Sequence, residues 1–183
     1  MIRKDVVLVT WGFIIFMLAG CSINHQVIPA QEQNIDLSMM PRLTIDQSAD
    51  LAVDLVAKKQ STNGLIRVCS AGAHKYYANV DDLTQGAIAA ARDILTRNGV
   101  SIDPKGAKKL SIAAQDAVCD IGWWSIGYYA TIRVTAGRDI VKTFKGEQNI
   151  GHVFGTSWAV EQALNNAVIE MFKDPDILNY LKN

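Results

Sequence analysis

The chain has 183 residues, 49% of them apolar and 20% charged, which is the length and make-up of one globular domain with a buried core. Its 18 basic residues balance 18 acidic ones. Such a chain lacks the clustered positive charge that displaces counterions from a phosphate backbone, so nucleic acid is excluded as an expected partner.

Arg3 and Lys4 precede an apolar run over 6–19, the charged and hydrophobic parts of an export signal. The run spans about 14 residues, short of the roughly 20 that a helix needs to cross a bilayer core. Leu18-Ala19-Gly20-Cys21 then forms a lipobox, in which small residues admit a peptidase and the cysteine thiol takes a diacylglyceryl group. Residues 1–20 are thus expected to be a lipoprotein signal peptide and Cys21 the lipidated first residue. Two or three acyl chains on one cysteine suffice for stable anchoring, so the membrane is the expected partner of this end. Ser22 stands where the sorting rule of bacterial lipoproteins retains Asp-bearing chains in the inner membrane. The expected location is therefore the outer membrane, with the domain facing the periplasm. Residues 21–34, rich in Gln, Asn and Pro, read as the lipidated cysteine and a flexible tether, of r.m.s. span about 20 Å.

Residues 35–183 read as a single domain. An extended segment over 35–45 is followed by period-2 alternation over 49–57, which predicts a strand, and Asn63-Gly64 marks a turn. A second short strand is expected over 65–69, then a loop at 71–74. Leu83, Ala87, Ala90, Ala91, Ile94 and Leu95 recur at helical spacing, with Asp82 as candidate N-cap and Gly99 after the last turn. Three strands follow, over 110–119, 124–136 and 140–146, separated by turns at Asp120-Ile121-Gly122 and Gly137-Arg138-Asp139. A second amphipathic helix begins near Thr156, and Pro175 opens a short third one. The order predicts an α+β fold: an antiparallel β-sheet that includes a three-strand meander, with helices packed on one face.

Few side chains suggest chemistry. Cys69 and Cys119 are an even pair once Cys21 is acylated, and in an oxidising compartment a disulfide is the first reading, with two separate buried thiols as the alternative. His74 near Cys69 fits no reliable metal spacing, and His25 and His152 lie far off in sequence, so no metal and no other cofactor are expected. Ser125 in "GWWSIG" has Trp123 where a nucleophile elbow needs glycine. Trp123, Trp124, Tyr128 and Tyr129 cluster around one hairpin; strand alternation assigns half of them to the core and leaves the rest as a candidate contact surface.

The lipobox, "NIDLSMMPRLTI", "RNGV", "KTFKGE" and the closing "EQALNNAVIEMFKDPDILNYLKN" together resemble the YajG-type bacterial outer-membrane lipoproteins. That resemblance implies an envelope lipoprotein and carries over no catalytic residue. The expectation is a non-enzymatic accessory or interaction subunit, with an envelope protein as partner. The competing readings are a lipid, peptide or glycan binding module that uses the aromatic hairpin, and an envelope hydrolase whose residues meet only in space.

Overall fold

The computed structural model describes residues 22–29, 43, 52–57, 64–151 and 155–182. Cys21, the signal peptide, most of the 35–45 segment, Asn63 and His152 lie outside them. The elements are β1 (Ile23–Val27), β2 (Ala52–Ala57), β3 (Leu65–Ala71), β4 (His74–Asn79), α1 (Val80–Arg97), β5 (Ser101–Ile102), β6 (Lys108–Ile121), β7 (Ile126–Ala136), β8 (Ile140–Ile150), α2 (Thr156–Lys173) and α3 (Pro175–Lys182).

Two sheets replace the expected antiparallel one. A five-stranded sheet has the order β5-β2-β6-β7-β8 and a three-stranded sheet the order β1-β4-β3. The meander β6-β7-β8 is antiparallel, as its turns require. However, β2 runs parallel to both β5 and β6, and β1 runs parallel to β4. The expectation of a purely antiparallel sheet is therefore wrong, while α+β describes the fold. The sequence conceals this because β2 and β6 are far apart in the chain, with α1 between them. A crossover of that length permits parallel pairing, which a short hairpin does not.

Along β7, Ile126, Tyr128, Ala130, Ile132, Val134 and Ala136 are buried, and the residues between them are more exposed except Gly127. This period-2 face is covered by α2, while α1 packs on the neighbouring β6 and β2. Helix α2 lies over β8 at Gly146, where an added Cβ would collide with the backbone of Ala163 and Ala167, so only glycine permits this approach. Thr84 ties α1 to the sheet: its hydroxyl donates to the Val80 carbonyl and accepts from the Ala114 N–H at 3.0 Å. The N-cap of α1 is Asn79 and not Asp82. Its side chain accepts from the Asp81 N–H at 2.8 Å, because the helix springs directly from β4 and starts earlier than its apolar period shows. Asp174 accepts from the N–H groups of Asp176 and Ile177 and so caps α3, which begins at Pro175 as expected.

The tether expected from Ser22 onward is also corrected. Ile23–Val27 pairs with β4 from Ile23↔His74 to Val27↔Ala78, and Val27 is fully buried. Its polar side chains hid a strand whose pairing is made by the backbone.

Candidate functional site

Among the described residues, Cys69 and Cys119 lie close to the aromatic hairpin singled out in the sequence. Cys69 of β3 and Cys119 of β6 form a disulfide, with Cα atoms 5.2 Å apart, closing a separation of 50 residues. By register, Cys119 faces Tyr128 across β6 and β7, and Cys69 faces Tyr76 across β3 and β4. The bond thus staples the small sheet to the far half of the long β6 strand. Between Ala114 and Asp116 a bulge shifts the pairing register of β6.

Tyr128 is a core residue and no part of any contact surface. It is fully buried, and its phenol exchanges a 2.9 Å hydrogen bond with the hydroxyl of Thr156 at the start of α2. Burial pushes its pKa up, the Thr156 hydrogen bond pulls it partly back, and nearby Tyr76 adds to the rise. Tyr129, its neighbour, points to the opposite face and is half-buried. There Lys145 Nζ sits 4.0 Å from the centre of its ring, a cation–π contact.

Trp123 and Trp124 differ from the alternation expected of a strand. Both lie in the turn between β6 and β7, which Gly122 closes by donating its N–H to the Ser125 carbonyl at 2.9 Å. A turn does not alternate faces, so neither ring is forced inward. They are 89% and 86% exposed, the most open of the exposed large apolar side chains among the described residues. Ile121, half exposed, continues the patch.

The direction of the neighbouring elements follows from three contacts. Thr84 of α1 meets Ala114 of β6, and Tyr76 lies level with Cys119 through the disulfide. Moving back along the chain from Thr84 to Tyr76 therefore moves along β6 from Ala114 towards its turn. Two residues further back stands His74, paired with Ile23, whose N–H donates to the Ala73 carbonyl at 2.9 Å. The start of β1, the Gly72-Ala73 turn and the Trp123-Trp124 turn thus occupy the same end.

Sequence reasoning missed one cluster there. His25, assigned to the tether, stacks on Tyr76 with ring centres 4.7 Å apart and on His74 at 5.1 Å. His25 Nε2 and His74 Nδ1 are 2.9 Å apart and share a hydrogen bond. Only the parallel register of β1 with β4 brings residues 49 positions apart together, so no local pattern signals the pair. Among the described residues, no three His, Cys, Asp or Glu side chains group as metal ligands. A depression of about 330 Å³ between the end of β1 and α1 is lined by Ile28, Pro29, Gln85, Gly86 and the charged Asp82 and Arg92. No helix among the described residues is long and apolar enough to cross a membrane.

No family model matches the chain, and no curated protein matches it. Among solved structures it is similar to the crystal structure of protein XCC0632 from Xanthomonas campestris, of family model DUF330. The two share 14% identity with a TM-score of 0.49, over 81% of this chain and 92% of that one.

Proposed function

We propose that this chain is a bacterial lipoprotein held in the outer membrane by acyl groups on Cys21, its domain facing the periplasm, and that it serves there as a non-enzymatic accessory or interaction subunit. The observation that carries this reading is the Cys69–Cys119 disulfide in a chain that opens with an export signal and lipobox. Structural disulfides persist in oxidising compartments, and the lipobox directs the chain to one. The YajG-type resemblance belongs to the same proposal. A contact role is supported by the placement of the most exposed aromatic side chains on a projecting turn instead of in a cleft lined by polar groups.

The test is fractionation of cells expressing the full chain, with mass analysis of the mature N-terminus. The expected product begins at Cys21, carries acyl mass and sediments with outer membranes, whereas Cys21→Ala is unprocessed or released. A Cys21→Ala chain that is cleaved normally and still held in the membrane overturns the anchor.

A further inference from the structure

We infer that the Trp123-Trp124 turn is a second membrane contact, inserted into the headgroup zone of the same phospholipid bilayer that holds Cys21. The inference rests on the proposed lipid anchor and adds to it where the domain meets the membrane. Cys21 lies two residues before Ile23, the first residue of β1, so no long tether separates the acyl groups from the folded domain. An extended chain advances at most about 3.6 Å per residue, which holds the start of β1 within roughly 7 Å of the anchoring cysteine along the backbone. The end of the molecule that carries Ile23 is therefore drawn onto the bilayer. The Trp123-Trp124 turn is at that end.

The chemistry of the turn suits this position. Tryptophan favours the membrane–water interface, where its apolar rings leave water while the indole N–H keeps polar partners. Two adjacent tryptophans are almost wholly open here, with Ile121 half exposed beside them in the chain and Ile23 half exposed at the start of β1. In water this is an unpartnered apolar patch; against headgroups it is covered. The disulfide stiffens the projection three residues before the turn, since Cys119 is fixed to β3 while Gly122 opens the turn. The acyl groups and the tryptophan turn then fix two points of the domain, so that it lies in one orientation on the membrane instead of swivelling on the anchor.

The test uses the full chain with Trp158→Phe, processed in cells, extracted in detergent and reconstituted into vesicles of phosphatidylethanolamine and phosphatidylglycerol. Acyl chains brominated near the headgroup act as short-range quenchers. Once the signal peptide is removed, the remaining tryptophans are Trp123 and Trp124. The expected result is emission lowered by about half or more in brominated vesicles, with quenching by aqueous acrylamide reduced at least about threefold relative to the same protein unfolded in denaturant. Equal emission in brominated and plain vesicles, from protein that floats with both, overturns the inference and assigns the turn to water, a second copy or a protein partner. The mass of Cys21 is read in the same samples. Missing acyl mass condemns the anchor, whereas intact acyl mass without bromine quenching condemns the turn alone.

Discussion

Gly146→Ala tests the packing on which the whole arrangement depends. A Cβ at this position would fall within contact distance of the Ala163 carbonyl oxygen and the Ala167 nitrogen, and 2.8 Å from the carbonyl carbon of Asn166. Carbon atoms settle at 3.5–4.0 Å, so α2 must retreat from β8 by about 1 Å. Backbone cannot rotate aside as a long side chain does. The retreat lifts Val160, Leu164, Val168 and Met171, all buried, from their contacts along one helix face. Overpacking of this kind costs about 3 kcal/mol, and for a chain of this size that lowers the melting temperature by roughly 6–12 °C. The comparison is Gly151→Ala, where nothing lies within 4 Å of the added Cβ. It should change stability by less than about 0.5 kcal/mol. Thermal unfolding followed by circular dichroism reads both variants. If Gly146→Ala melts within about 2 °C of the parent, a shift worth no more than about 1 kcal/mol for a domain of this size, α2 does not cross the sheet at Gly146 and β8 does not pair with β7 in this register.

The remaining predictions concern the staple and one ion pair. Replacing both Cys69 and Cys119 by Ala should cost up to ~4 kcal/mol, the loop-closure value for a separation of 50 residues, and abolish the effect of reductant on the urea midpoint. A parent midpoint that ignores reductant, with both thiols alkylated in denaturant alone, refutes the bond. For the ion pair, Lys142 Nζ reaches Asp174 at 2.7 Å and Asp176 at 2.6 Å. Burial pulls the Asp174 carboxyl up, but Lys142 and the N–H groups of Ile177 and Asp176 together bring it below its ordinary value of 3.8. Hydrogen bonds from Lys142 to Asp174 and Asp176 hold its ammonium above the ordinary 10.5. The carboxylate's contribution is thus present above pH 3.8 and lost as pH falls through its lower folded value, and that of Lys142 is present below 10.5 and lost above its raised one. Asp174→Asn keeps the α3 cap but not the charge, so its deficit in a urea titration should be largest near neutral pH and vanish in acid. A deficit that is constant down to the acid limit refutes the pairing.

Sequence alone determined what is local. The helical period of Leu83 to Leu95, the Pro175 start of α3, the Gly137 turn and the alternation from Tyr128 to Thr135 each depend on neighbours a few residues apart and stand in the structure, although the strand expected from Trp124 begins only at Ile126. The lipobox pattern is legible for the same reason, being four consecutive residues, Leu18-Ala19-Gly20-Cys21. Tertiary structure decided whatever depends on pairing across distance. Whether β2 meets β6 parallel or antiparallel is settled by the crossover and by which apolar faces must be covered, not by Val53 or Leu55 themselves. β1 was invisible because Asn24, His25 and Gln26 look like linker, while backbone hydrogen bonds to β4 and the burial of Val27 make them a strand. The same register brings His25 onto His74 and Tyr76, and turns the expected tether into the edge of the domain. At the aromatic hairpin, composition marked the residues, but only the position of the turn separates the buried Tyr128 from the exposed tryptophans. A small difference in where a strand ends decides which ring meets the core and which meets solvent.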